Sequence, residues 1–249
     1  MSAFLGIAGY EYRMGVRRWG LWLAFVVAGI PFFLNPLGGH DIEQMTSVWQ
    51  MAASAALMAN LLLPVVAGIA MADRLERDMR LGVRELQSAT PLPRLTYVLA
   101  KYVGAVLVVA TPSLLVSLAV DGVMVAQGAP VTLFGASLAA FAAINLVAYL
   151  FVGAFALACP LVMPVRVFQV LVTGYWIWGN FLSPQVMPTL SETLLTASGR
   201  WVAGGLFGMP WYDNTQATPL EAIVNLALIG LAATAALLAL GHILERQSA

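Results

Sequence analysis

Few side chains in this sequence are of a type and spacing that could do chemistry. The segment GGHDIEQM, residues 38–45, contains four that could hold a divalent metal: His40, Asp41, Glu43 and Met45. A solvated loop with a glycine turn explains the same pattern, and we favour that interpretation. The second histidine, His242, is 202 positions from His40, so the two do not form the paired-histidine motif of a metalloprotease.

Other catalytic arrangements have even less support. Ser137, in Gly135-Ala136-Ser137, offers a hydroxyl nucleophile, but no histidine or lysine falls near the middle of any long apolar stretch to act as its base. The sequence also lacks a GxxxxGK[ST] loop, which would cradle nucleotide phosphates. The single cysteine, Cys159, is expected to pack as a small apolar side chain. We therefore predict that the chain is not an enzyme and holds no cofactor or metal of its own.

The composition places the chain in a membrane. Of its 249 residues, 61% are hydrophobic and 10% are charged, with a formal net charge of zero. Soluble domains average about 45–50% apolar and ~25% charged residues. We predict an all-α integral membrane protein whose lipid partner is the bilayer, with no nucleic-acid partner.

Intervals without charge predict six transmembrane helices, since roughly 20 apolar residues cross the hydrocarbon core. Their approximate ranges are 19–37, 47–72, 97–120, 131–158, 167–182 and 220–241. Residues 2–18 resemble a short interfacial helix, and residues 121–130 a short outer loop. The outer segment 183–219 is expected to form short helices in or dipping into the outer leaflet. Residues 1–249 thus make a single transmembrane domain.

Four asparagines interrupt these apolar intervals: Asn60, Asn145, Asn180 and Asn225. Such side chains usually hydrogen-bond to a neighbouring helix, which is our main interpretation. Asn60 and Asn145 are also candidates for lining a substrate path.

The basic residues predict the orientation, because Lys and Arg prefer the cytoplasmic side of short loops. With the N-terminus inside, 11 of the 12 basic residues lie on that side, and only Arg200 lies outside. We therefore predict a multi-pass protein of the bacterial cytoplasmic (inner) membrane with both termini cytoplasmic.

One segment concentrates the charge. ADRLERDMRLGVRELQSATPLPRLTYVLAK, residues 72–101, holds ten of the 24 charged residues. An apolar stripe within it predicts an amphipathic cytoplasmic helix over residues 73–88: Leu75, Met79, Val83 and Leu86. Its charges can pair four positions apart, Asp73 with Arg77, Arg74 with Asp78, and Glu76 with Arg80. Interspersed signs favour a protein partner over an anionic lipid surface. Thr90-Pro91 is typical of a helix start, so a second helix should begin there.

The same segment resembles the coupling segment that follows the second span in type-2 ATP-binding cassette (ABC) exporter permeases. The matching positions are Glu76-Arg77-Asp78, Gly82, Leu86, Ser88, Pro91, Arg94, Tyr97 and Lys101. Val83, where the family more often has threonine, and Pro93 depart from the pattern.

The resemblance implies a permease subunit that moves a hydrophobic or amphipathic substrate by alternating access. A separate cytoplasmic ABC ATPase subunit would bind ATP and Mg²⁺ and supply the energy. Residues 73–96 would form the coupling segment, with its contact surface on that ATPase at Arg74, Glu76, Arg77, Asp78, Arg80, Gly82 and Glu85. A second copy of this chain, or a related permease, would complete the membrane part.

A function of another class stays open on the sequence alone. The chain could be a non-transport membrane enzyme or a receptor-like subunit that uses the same cytoplasmic helix to bind another partner.

Overall fold

The computed structural model describes residues 2–35, 45, 47–80, 93–185, 187–209 and 217–246. These residues form helices, with no strand among them. The helices are α1 Ser2–Val16, α2 Trp19–Leu34, α3 Val48–Met71, α4 Arg74–Arg80, α5 Arg94–Ala126, α6 Leu133–Ala140, α7 Leu146–Ala158, α8 Val165–Phe181, α9 Arg200–Phe207 and α10 Pro219–Arg246. A π turn, Phe141–Asn145, joins α6 to α7, and a 3₁₀ turn, Cys159–Leu161, follows α7. The predicted all-α class is confirmed for these residues.

Several helices are long and apolar enough to cross a membrane. Four candidates lie within the described residues: Val48–Asp78, Leu95–Ala126, Leu133–Leu161 and Pro219–Leu244. The pair α1 and α2, bent by 68° at the break between them, passes the same test as a fifth. The chain therefore has the architecture of a multi-pass membrane protein with four to five candidate spans.

Helices also occupy the first and fifth predicted spans, but they are short. Helix α2 has 16 residues and α8 has 17. At about 1.5 Å per residue they reach roughly 24 and 26 Å, less than the ~30 Å of a hydrocarbon core. That α2 and α8 each cross the membrane as separate spans stays a prediction.

Apolar side chains cover much of the outer surface of the bundle. Leu23, Val27 and Ile30 on α2 each expose half or more of their surface, and Val170 on α8 exposes still more. A soluble protein rarely exposes such a continuous apolar face. In a bilayer the same face is solvated by lipid chains.

Helix α5 corrects two expectations. It runs from Arg94 to Ala126, so the predicted loop at 121–130 is wrong over its first half, and Asp121 lies inside the helix. The helix also begins after Pro93 rather than at Thr90-Pro91. Pro93 itself has a non-helical conformation (φ −58°, ψ 130°), so a helix that starts at Thr90 cannot run unbroken through it into α5.

The last part of the segment between α8 and α9, residues 196–199, is packed into the bundle, while the described residues before it are mostly exposed or half-buried. Ser191, Thr196 and Ser198 are buried, and the helix that follows them, α9, is largely buried as well. The backbone groups of this irregular stretch need partners because lipid supplies none. Short α9 agrees with the short helices predicted for this region.

Asn60, Asn180 and Asn225 supply those partners, and Asn145 in turn bonds to Asn60. We call the four residues the asparagine network. Asn60 Nδ2 donates to the Ser198 carbonyl (3.0 Å), and Asn225 Nδ2 donates to the Thr196 carbonyl (2.9 Å). Asn180 Oδ1 accepts from the backbone N–H of residue 197 (2.9 Å). All four side chains are buried. The interpretation of these residues as contacts between elements is confirmed.

Helix α1 lies flush along α5 because α5 has a glycine at the contact. A Cβ on Gly104 would stand 2.8 Å from the Ala8 carbonyl oxygen and 2.8 Å from Glu11 Cβ. Nothing lies within 4 Å of a Cβ built on Gly122 of the same helix. The two glycines therefore differ in packing while sharing a helical backbone.

We predict that Gly104→Ala destabilises the protein and Gly122→Ala does not. Alanine favours a helix over glycine by roughly 1 kcal/mol at both positions. At Gly104 the overlap with α1 outweighs this gain, with a net loss of about 1–2 kcal/mol from overpacking. Thermal unfolding of the purified protein in detergent, followed by tryptophan fluorescence, measures both. Equal midpoints for the two variants would contradict the close α1–α5 contact.

Candidate functional site

The short helix α4 lies at one end of the bundle, which we call the charged end. It continues α3 so closely that Val48–Asp78 counts as a single 31-residue helix. The other end is marked by α9, because Gln50 near the start of α3 donates to the Gly208 carbonyl (2.7 Å) after α9. Leu75, the first residue of the predicted apolar stripe, is buried, so α4 packs against the bundle through that face.

Beneath α4 lies a buried group of charges, the ionic cluster, formed by Glu11, Arg74, Asp78, Tyr97 and Lys101. Arg74 Nη1 donates to Glu11 Oε1 (2.6 Å), and Lys101 Nζ donates to Glu11 Oε2 (3.3 Å). Lys101 also pairs with Asp78 Oδ2, which accepts from the Tyr97 hydroxyl as well. The cluster therefore ties α4 to α1 and to α5.

The cluster is largely shielded from solvent. The side chains of Arg74, Lys101 and Glu11 are 2%, 4% and 5% exposed, while Asp78 is 19% exposed. Buried charges are tolerated only when they are paired and hydrogen-bonded, because desolvation costs several kcal/mol per ion. Two acids and two bases make this cluster neutral. Its members consequently hold one another in place.

Glycine allows α1 to reach the cluster. A Cβ on Gly15 would overlap Val108 of α5 and approach Arg74 Nη1 to 3.1 Å. A larger residue there would therefore push α1 away from both α4 and α5. The ion pair of Arg74 with Glu11, which is 63 positions earlier, depends on this close approach.

The structure divides the predicted ATPase-contact residues into two groups. Arg74 and Asp78 belong to the ionic cluster, so their ion pairs run to Glu11 and Lys101 and the predicted pairing of Arg74 with Asp78 is wrong. Arg77 is exposed and Glu76 is half-buried. Arg80 closes α4, but its side chain is outside the described residues, and so are Gly82 and Glu85.

The remaining sequence candidates fall elsewhere. Asn145 Nδ2 donates to Asn60 Oδ1 (2.9 Å) and to the Ala56 carbonyl (2.9 Å), deep in the bundle. Both asparagines are thus in one place, as a shared substrate path requires, but their role in such a path stays a prediction. The metal candidates His40, Asp41 and Glu43 lie outside the described residues.

Sequence reasoning missed Glu11, the residue that joins the cluster. Its signal is visible in hindsight, since Glu11 is the sole acid among the first 40 residues of an otherwise basic and apolar N-terminus. An isolated acid on the face of an interfacial helix opposite to Arg13 calls for a basic partner in another element. The sequence does not indicate which basic residue of the charged end is the partner of Glu11.

We predict that Glu11→Gln destabilises the protein strongly, because Arg74 loses its buried ion-pair partner and the cluster keeps one uncompensated positive charge, while Lys101 stays paired with Asp78. Removing one partner of a buried ion pair costs about 3–5 kcal/mol. Loss of folded protein after detergent extraction and a lower unfolding temperature measure the effect. Glu192→Gln, at an exposed acid, is the matched control and should be neutral.

A second variant tests the charge balance itself. Glu11→Gln with Arg74→Met restores a neutral cluster, with the Lys101–Asp78 pair left, and should be more stable than Glu11→Gln alone. Additive destabilisation by the two changes would show that the charges do not act as a unit.

No protein-family model and no curated protein matches this chain. The function of the chain is therefore inferred from its fold and from the geometry of the site. They provide a short charged helix whose inner side is fixed to two other helices by buried ions, and whose Arg77 faces outward.

Proposed function

We propose that this chain is the membrane-spanning permease subunit of a type-2 ABC exporter. Six spans with both termini in the cytoplasm would place α4 at the cytoplasmic face, as the first part of the coupling segment 73–96. A separate ATPase subunit would bind ATP and Mg²⁺ and dock on α4. A second permease, identical or related, would complete the substrate path.

The observation that carries this proposal is the attachment of α4 by the ionic cluster. A coupling helix must move the spans when its outer surface is pushed, so it cannot be loosely hinged. Arg74 and Asp78 reach α1 and α5 through Glu11 and Lys101, with the charges out of water. Force on α4 would therefore reach a long candidate span, α5, directly.

The exposed residues of α4 are the proposed docking surface. Arg77 is exposed and lies one residue from Glu76 and Asp78, so both signs are present within a single helical turn. Arg80, Gly82 and Glu85 would extend this surface. Arg74, which is turned inward to Glu11, serves as an anchor in this proposal and not as a contact.

A cavity in the membrane part supports a hydrophobic or amphipathic substrate. It has a volume of about 290 Å³ and lies between α7 and α8. Phe151, Phe155, Phe168 and Tyr175 line it with aromatic surface, and half-exposed Leu171 marks its opening at the outside of the bundle. A ligand could enter such a cavity from the bilayer, since apolar pockets with few polar groups suit apolar ligands.

We predict that Arg77→Glu weakens the complex with the ATPase without unfolding the permease. Loss of an interface arginine costs about 2 kcal/mol, or roughly 30-fold in Kd. The measurement is co-purification with the product of a neighbouring reading frame that contains GxxxxGK[ST], together with substrate-stimulated ATP hydrolysis.

Arg13→Glu is the matched control for this experiment, because Arg13 is an exposed arginine of α1 outside the coupling segment. It should leave both co-purification and ATP hydrolysis unchanged. Wild-type association of Arg77→Glu would contradict the proposed docking surface.

The orientation gives a further prediction. In a Cys159→Ala background, a membrane-impermeant maleimide applied to intact cells should label a cysteine at Glu192 and not one at Arg77. Both positions are exposed, one between α8 and α9 and the other on α4. Labelling at Arg77 alone would reverse the topology.

A further inference from the structure

A second buried charge lies far from the ionic cluster, at Asp121 of α5. The residue is 1% exposed, and its Oδ1 accepts a hydrogen bond from Ser137 Oγ of α6 (2.9 Å). Oδ2 has no hydrogen-bond partner in the described part of the chain. Asp121 is thus a half-satisfied carboxylate inside a candidate span.

Asp121 lines a small cavity together with Ser117 and Asn145. Ser117 Oγ and Asn145 Oδ1, like Asp121 Oδ2, have no hydrogen-bond partner among the described residues. The rest of the wall is apolar, with Phe32, Phe141 and several alanines. Three oxygens without donors around one cavity are unusual, because buried polar groups are nearly always hydrogen-bonded.

No described basic side chain neutralises Asp121. The described ion pairs all belong to the ionic cluster, and Lys101 is 20 residues earlier on the same helix, roughly 30 Å away. An isolated carboxylate in a medium without water is too costly to remain uncompensated. Its charge must be balanced either by a proton on the carboxyl group or by a small cation that enters the cavity, and the unpartnered oxygens of Ser117 and Asn145 favour the cation.

We propose that this cavity binds one monovalent cation of the Na⁺ class. Asp121 Oδ2 and Ser117 Oγ, one helical turn apart on α5, are the primary ligands, and Asn145 Oδ1 supplies a further oxygen directly or through a water. All are hard oxygen donors, and the set carries a single negative charge. The proposal does not depend on the proposed function.

Two features of the site fit this occupant. The cavity has a volume of about 20 Å³, which admits about one water-sized sphere and nothing larger. Asn145 is the last residue of the π turn Phe141–Asn145, a local change of helical register of the kind often found at functional sites. A single-carboxylate set of this size matches a monovalent ion and has too little charge for a tight divalent site.

The test uses the full chain purified in detergent, with choline chloride replacing NaCl at constant ionic strength. Binding of radioactive Na⁺ should saturate at about one ion per chain, and the unfolding temperature should rise with Na⁺ over the same concentrations. Asp121→Asn keeps the side-chain volume and can still accept from Ser137. It should remain folded and lose both effects.

Two further variants complete the experiment. Ser117→Ala should raise the half-saturating Na⁺ concentration by about tenfold, as expected for a loss of roughly 1.4 kcal/mol of binding free energy. Glu192→Gln, at an exposed acid outside the cavity, should bind as the wild type does. K⁺ and Li⁺ in place of Na⁺ define the size preference of the site.

The proposal is overturned if none of the three ions binds saturably to the wild-type chain. It is equally overturned if Asp121→Asn binds Na⁺ as tightly as the wild type. If Asp121→Asn proves too unstable to purify, unchanged binding by Ser117→Ala overturns the assignment of the ligands.

Discussion

The position of Glu11 between Arg74 and Lys101 constrains the rest of the charged end. A carboxylate with both oxygens engaged by cations from two other helices fixes the distance between α1, α4 and α5 at once. None of the three elements can move alone without leaving an unpaired charge in an apolar surrounding, where effective electrostatic interactions are strong. Gly15 and Gly104 are the steric counterpart of this constraint, because they let α1 approach closely enough for the ion pairs to form.

At the opposite end of the bundle the buried polar groups are also paired, but they are neutral. There the chain leaves helical structure between α8 and α9, and the last part of this segment, residues 196–199, still packs inside the bundle. Each buried carbonyl or amide in such a stretch needs a partner from the protein. The asparagine network provides partners for the backbone at residues 196–198, and Trp176 adds a bond to the Asn60 carbonyl (2.8 Å). Buried polar side chains thus set the shape at both ends, while apolar surface determines only that helices form and associate.

This division explains what the sequence could and could not predict. Apolar intervals of sufficient length identify helices, because helix formation in a bilayer depends on local composition. The same reasoning placed Asp121 in a loop, since a charge was taken as the end of a span, and the helix in fact continues to Ala126. The partners of Asp121 and Glu11 are on other helices, 16 and 63 or more positions away, and no local pattern encodes them. The helix predicted over residues 73–88 is confirmed for Arg74–Arg80, and residues 81–88 lie outside the described part of the chain. Which of its charges face inward follows only from packing.

Helix α5 runs from the ionic cluster to Asp121, and these two buried sites differ in how their charge is balanced. In the ionic cluster, Lys101 of α5 is balanced by Glu11 of α1 and Asp78 of α4, so the balance is permanent while the fold lasts. At Asp121 no described side chain provides it, so the balance depends on what the solution supplies. Pro112 lies between them and removes one helical hydrogen bond, which allows the two halves of α5 to bend relative to each other. An ion at Asp121 that favours one bend would also favour one position of Lys101, and by linkage a shift of α4 would change the affinity for that ion to the same degree.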